Sequence, residues 1–241
     1  MKTGVIAILL VAVLAGCSHK PAKVAVPAAP PPSPTAENPQ ESAEAPPANE
    51  IPALPADARP LWSETGIASW YGAPYHNRRA SNGEVYDMHA MTAAHRTLPL
   101  GSVVRVTDLK TGSSAVVRIT DRGPFIEGRI VDLSRSAAEQ IGIVQRGTAE
   151  VRLDVLKTPS PMTTGGRWAV QIGAFQREKS ARELASHLSR RYHSANVLTF
   201  NSPVGDWWVR IRVKGDLRAR AEEVLHDTRT SEGAIFLVRL D

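Results

Sequence analysis

Three polar runs hold the side chains of this chain whose types suit proton transfer: Ser81-Asn82-Gly83-Glu84, Thr92-Ala93-Ala94-His95 and Asp121-Arg122-Gly123-Pro124-Phe125. Carboxyl and imidazole groups give and take protons when burial or a neighbouring charge brings their pKa values toward the working pH. Asp121 closes a strand-like run just ahead of Gly-Pro, a place from which a side chain projects off a scaffold into a groove. Each residue has a plainer reading as well. Asp121 can make an Asx-turn with the backbone ahead of Gly123-Pro124. Glu84 can be a solvated loop charge and His95 a structural hydrogen-bonding group. Asp132, in Val131-Asp132-Leu133-Ser134, can line a groove or brace the start of a helix. His76, His89 and His95 are not at metal-ligand spacing and no cysteine is near them, so neither a metal nor a cofactor is expected.

The elements that would position these residues are short. Gly66–Tyr71, Ser102–Val106, Ser114–Ile119, Arg129–Leu133 and Ala149–Leu153 alternate apolar with polar residues and read as strands of a small barrel. Lys110-Thr111-Gly112-Ser113 is a hairpin turn signal, and Ser134–Ile141 reads as one short helix capped by Ser134. Downstream the order is strand, helix, strand, strand, helix, strand: Trp168–Phe175, Ser180–Arg191, Asn196–Thr199, Trp207–Val213, Leu217–His226 and Ala234–Leu240. This duplicated βαβ pattern predicts a ferredoxin-like βαββαβ fold, with two helices on one face of a sheet and the other face open. Ser180-Ala181-Arg182-Glu183 has the spacing of a capping box. Alternation puts Gln171 and Gly173 on one face of a central strand, and Trp208, Arg210 and Arg212 on one face of the other. A one-residue change of register would instead bury Trp208 in the core. The expected fold class is thus mainly β followed by α+β.

The only cysteine, Cys17, ends Leu14-Ala15-Gly16-Cys17, behind Lys2 and an apolar run from Val5 to Leu14. That is the layout of a secretory signal, and the run is too short to span a bilayer. It resembles the lipobox of bacterial lipoproteins, which implies cleavage before Cys17 and a firm multi-acyl anchor. Ser18, where related lipoproteins retained in the inner membrane carry Asp, favours the periplasmic side of the outer membrane. From Pro21 to Pro60 the chain is rich in Pro, Ala, Glu and Ser and holds about two-thirds of its 18 prolines, a composition that cannot bury a core. At ~3.1 Å per residue such a tether reaches on the order of 100 Å. The expected layout is a signal peptide at 1–16, a lipidated tether at 17–62, a first folded domain at 63–156, a linker at 157–166 and a second domain at 167–241. The net charge of +5 is spread among 24 acidic residues rather than gathered in a stripe, so nucleic acid is not an expected partner, whereas a polyanionic wall polymer is compatible.

Together with Ala68-Ser69-Trp70-Tyr71-Gly72 and Val131-Asp132-Leu133-Ser134, the three polar runs resemble, in order and over about ninety residues, the double-psi β-barrel of the rare lipoprotein A family. The resemblance implies an endolytic lytic transglycosylase of peptidoglycan. In that reaction the C6 hydroxyl of N-acetylmuramic acid attacks its own C1, so a 1,6-anhydro sugar forms without an enzyme-held water, and one carboxyl can act as acid and then base. Asp121 matches the family's catalytic aspartate, and Glu84 and His95 match its second and third catalytic positions; Asp132 is a secondary candidate. Trp168–Phe175 and Trp208–Val213 resemble a sporulation-related repeat (SPOR) domain. This implies that Gln171, Gly173, Trp208, Arg210 and Arg212 bind glycan strands stripped of stem peptides, material that accumulates at division septa. Lys214-Gly215-Asp216 stands where that family has an aromatic. The implied partners are such strands, a membrane reached through the lipid anchor, and divisome proteins. The alternative is a wall-binding lipoprotein that loosens glycan without cutting it, as expansin-like barrels do; the presence of both Glu84 and Asp121 favours the enzyme.

Overall fold

The computed structural model describes residues 58–230 and 233–241. The signal-like segment, Cys17 and nearly all of the proline-rich tether lie outside the described residues.

The first domain has six strands, β1 (Trp62–Tyr71), β2 (Thr92–His95), β3 (Val103–Asp108), β4 (Ser114–Asp121), β5 (Arg129–Ser134) and β6 (Ala149–Lys157), and in β3, β4 and β6 alternating Val, Ile and Leu turn one face inward. They close into a barrel in the order β1-β5-β2-β4-β3-β6. β1 runs parallel to β5, and β2 parallel to β4, while the remaining pairs are antiparallel. This is the expected double-psi barrel. Its core holds Val104, Val106, Val117, Ile119, Leu133, Leu153 and Val155, all without solvent exposure, each such burial being worth roughly 1.5–3 kcal/mol. The short helix α1 (Arg135–Gln140) starts where expected: Ser134 Oγ accepts from the Ala137 N–H at 3.3 Å and closes one open donor of the first turn. Thr92–His95, which is not among the expected strands, is a fully buried strand between β5 and β4. Two alanines between polar ends give no alternation to announce it.

The second domain has the predicted order, β7 (Trp168–Phe175), α2 (Glu178–Arg191), β8 (Asn196–Asn201), β9 (Trp207–Arg212), α3 (Arg218–Asp227) and β10 (Ala234–Arg239). Its antiparallel sheet is ordered β10-β7-β9-β8. Val170, Ile172, Val209 and Ile211 form a core with Ala181 and Leu188 of α2 and Ala221 and Val224 of α3. The capping box at Ser180 does not form. The helix begins earlier, at Glu178, with Arg177 at the cap and no side-chain cap bond; Glu178 instead accepts from Arg182 Nε at 2.6 Å across the first turn.

The sheet's other face is not open as the sequence suggested. The Phe125 ring, from the turn after β4, lies 5.3 Å from Trp208 and 5.9 Å from Phe236, over which the Arg96 guanidinium sits at 5.3 Å. Hydrogen bonds also join barrel and sheet: Arg239 N–H donates to Arg96 O at 3.0 Å, and Asp241 O accepts from Leu100 N–H at 3.2 Å and from the Arg122 side chain, through Nη2, at 2.6 Å. Arg239, 1% exposed, also donates to Pro161 O at 2.8 Å and Ser160 Oγ at 3.0 Å, holding the 157–166 segment against the sheet.

Candidate active site

A cleft of about 1130 Å³ opens at the ends of β1, β4 and β5 and is lined by Tyr71, Ser81, Asp121, Phe125 and Asp132 from the barrel, and by Gln171, Phe200, Trp208 and Arg210 from the sheet. That exceeds the ~300–1,000 Å³ of a site for one small ligand, leaving room for several sugar units.

Asp121 is the last residue of β4, and its partner in the parallel β2 is Ala94. Its Oδ1 accepts from Ser81 N–H at 3.0 Å, Ser81 Oγ at 2.5 Å and Arg122 N–H at 2.8 Å. All three donors converge on one oxygen, which leaves Oδ2 for exchange of a proton with a substrate. Asp132, on β5, is held differently: Oδ1 accepts from Ser69 Oγ at 2.6 Å and Oδ2 from Arg129 Nη2 at 2.9 Å. Burial pushes the Asp132 carboxyl above the usual range, with Arg129 and Ser69 opposing. Tyr71 lines the same cleft, stacked on Tyr86 at 4.3 Å and met edge-on by Tyr75 at 5.7 Å. Burial, and then the charge of Asp121, raises the Tyr71 hydroxyl well above its ordinary pKa, so it is a neutral group in the cleft wall.

Of the residues the sequence singled out in the barrel, Asp121 and Asp132 share this cleft, whereas Glu84 and His95 do not line it. Glu84 forms a two-pronged ion pair with Arg118 of β4, at 2.9 and 2.7 Å. It also closes its own loop, since Ala80 N–H donates to Glu84 O at 2.8 Å and Asn82 N–H to Thr120 O at 3.1 Å. That loop presents Ser81 to Asp121. His95 is 4% exposed; its Nδ1 accepts from Thr97 N–H at 3.1 Å and Leu98 N–H at 3.0 Å, so Nε2 carries the hydrogen and meets Glu64 Oε1 at 2.8 Å. Its carbonyl accepts from Arg122 Nη1 at 3.0 Å. Both residues therefore touch Asp121's supports rather than the cleft. The sequence reading missed Ser81 as the residue that holds Asp121, and Ser69 and Arg129 as those that hold Asp132. All three lay in runs already quoted, Ser81 among the polar runs, Ser69 in Ala68–Gly72 and Arg129 at the head of a strand, but nothing in the sequence paired them with an aspartate.

On the sheet, Gln171 pairs with Arg210 across β7 and β9, and Gln171 Oε1 accepts from Arg210 Nε at 2.9 Å and Nη2 at 2.5 Å. The Arg210 guanidinium lies 5.0 Å over the Phe200 ring. Gly173 is required where it stands, because a Cβ there would come within 2.5 Å of the Trp208 ring. Arg212 turns away to Asp216, at 2.5 Å, and does not line the cleft. Among the described residues no group of three or more His, Cys, Asp or Glu side chains is arranged to hold a metal ion.

Comparison with known proteins places these features. A family model described as lytic transglycolase matches residues 63–153, and one described as SPOR domain matches residues 164–225. The protein named endolytic peptidoglycan transglycosylase RlpA from Vibrio cholerae is 46% identical over 136 residues, covering 54% of this chain and 52% of the relative. Its namesake from Helicobacter pylori strain J99 is 42% identical over 160 residues, covering 55% and 51%, and that from Neisseria meningitidis serogroup A is 54% identical over 93 residues, covering 39% of each. The chain spans about half the length of the curated relatives it matches. Among solved structures, the Streptomyces papain inhibitor is 19% identical with a TM-score of 0.34, over 42% of this chain and 100% of that one. With a lytic transglycolase model on its barrel, a SPOR model on its second domain, and relatives of one name aligned over about half of their length, the chain is similar in both domains to the rare lipoprotein A (RlpA) family.

Proposed function

We propose that this protein is an endolytic peptidoglycan transglycosylase that cuts between N-acetylmuramic acid and N-acetylglucosamine in strands lacking stem peptides. The observation that carries the reading is the pair of carboxyl groups, Asp121 and Asp132, in one cleft of polysaccharide size. Asp121 gives its proton to the leaving glycosidic oxygen as the C1–O bond breaks. The C6 hydroxyl then attacks C1, and Asp121 takes the hydroxyl proton back, so the carboxyl is restored with no water consumed. Asp132 supplies a second carboxyl for the positive charge that develops at C1. Glu84 and His95 are positioning residues: Glu84 fixes the Ser81 loop through Arg118, and His95 shapes the turn on which Arg122 is seated.

The sheet binds the glycan through Gln171, Gly173, Trp208 and Arg210, while Arg212, tied to Asp216, contributes charge at the edge. Cys17 carries the lipid, and the proline-rich tether lets the folded domains reach the wall from the outer membrane at the division septum, beside divisome proteins. Incubation of the soluble portion with amidase-treated sacculi, followed by mass spectrometry, tests the reading. Anhydromuramyl ends that are absent with Asp121→Asn are expected. New reducing ends would make it a hydrolase, and binding without soluble product would make it a non-catalytic wall protein.

A further inference from the structure

The barrel and the sheet belong to one compact unit, and a single cleft runs between them. Its floor is barrel: Asp121, Asp132 and the tyrosine cluster. Its opposite wall is sheet: Trp208, Arg210 and Phe200. The two walls meet at the Phe125 and Trp208 rings, whose centroids are 5.3 Å apart. Electrostatics reach across the cleft in both directions. Burial lowers the Arg210 pKa and the charge of Asp121 opposes that shift, while burial, then Asp132, then Asp206 beyond β8 raise the Tyr75 hydroxyl of the barrel. Arg210 is fixed for this role, its fork closed on Gln171 Oε1 and its plane laid on Phe200.

Taking the glycan-cutting reading as given, we propose that the sheet is the second wall of the catalytic cleft, so that the few sugars gripped by Trp208 and Arg210 are the same sugars presented to Asp121. A ring system with apolar faces and polar edges fits such a slot, with aromatic planes on one side and carboxylates and a guanidinium at its edges. The sheet then acts on the position of the scissile bond, and not only on where along the wall the protein settles.

The test uses a soluble naked glycan of only a few sugars, too short to engage two separate sites, and the full chain. Arg210→Ala and Phe200→Ala are each expected to slow cutting of this short glycan by about tenfold or more, as loss of a charge-assisted contact or an aromatic face to the reacting sugars would. Melting temperatures close to wild type show that the variants are folded, and two variants guard against one failing. Wild-type rates on the short glycan, with loss confined to sacculus binding, would overturn the proposal. A second measurement does not depend on turnover. With Asp121→Asn and the same glycan, backbone NMR signals of Ser81 and Phe125 are expected to shift together with those of Trp208 and Arg210, following one binding constant. Shifts on the sheet alone would overturn the shared cleft. Should the wild type cut nothing while both walls shift, the enzyme reading fails and the shared cleft stands.

Discussion

Two aspartates meet the same cleft in different surroundings, and this separates their expected roles. Asp121 receives three hydrogen bonds on one oxygen, whereas Asp132 is buried between Ser69 and Arg129 with its carboxyl raised by that burial. Asp121→Asn is expected to lower kcat on naked glycan by about 10²–10⁴-fold with KM nearly unchanged. Asp132→Asn should retain measurable cutting but move the acid limb of the kcat/KM profile, because Asp132 takes up its proton above the usual carboxylate range. A limb that stays in place would remove Asp132 from the reaction. His95 gives a prediction about stability rather than rate. Burial holds its imidazole below its ordinary pKa, with Glu64 opposing. The unfolded chain therefore binds this proton near about pH 6.5 while the folded chain still resists it, so stability rises with pH across that window and falls on acidification. Melting temperature is expected to drop as pH is lowered from about 7 through this window, and His95→Gln, which removes the titrating group, should flatten that drop.

At the scale of elements, Asp121 depends on a loop and a strand that share one ion pair. Glu84 and Arg118 pin residues 80–85 to β4, and Ser81 rides on that loop. Glu84→Ala should therefore cost about ten- to a hundredfold in kcat, as a small misplacement of a reacting group does, with little change in KM. Exchanging the charges, Glu84→Arg with Arg118→Glu, should restore part of the loss; a group acting directly on the sugar would not be restored by the exchange. Much of this frame was legible beforehand. Val and Ile alternation announced β3, β4 and β6, Ser134 announced α1, and the Gly-Pro after Asp121 announced a residue at a strand end. What was not legible depends on contacts between segments far apart in sequence. Thr92–His95 is a strand because β4 and β5 flank it, not because its residues prefer one. The capping box at Ser180 gave way to a helix started two residues earlier. His95 reads as a catalyst or a brace until Glu64, thirty-one positions away, is seen on its ring.

For the molecule as a whole, the decisive question is whether barrel and sheet move as one. Domain interfaces of modest size leave relative motion as the ordinary expectation. Here several independent contacts oppose it: the Phe125 ring on Trp208 and Phe236, Arg96 over Phe236, Arg122 on the Asp241 carbonyl, and Arg239 holding residues 160 and 161. Phe236 is the informative member, since it touches both domains yet does not line the cleft. Its ring meets both Phe125 and the guanidinium of Arg96, so truncation removes an aromatic contact and a cation–π contact together, each worth roughly 0.5–1.5 kcal/mol. The core of the sheet, built from Val170, Ile172, Val209 and Ile211 against the helices, is untouched by that change. Wild-type residues 58–241 should then unfold in one calorimetric transition, and Phe236→Ala should split it into two, the barrel and the sheet melting separately. A single transition in both proteins would mean that the remaining contacts suffice to couple the domains. Two transitions in the wild type would mean that they were never coupled, and the sheet would return to the role of an independent wall-binding module.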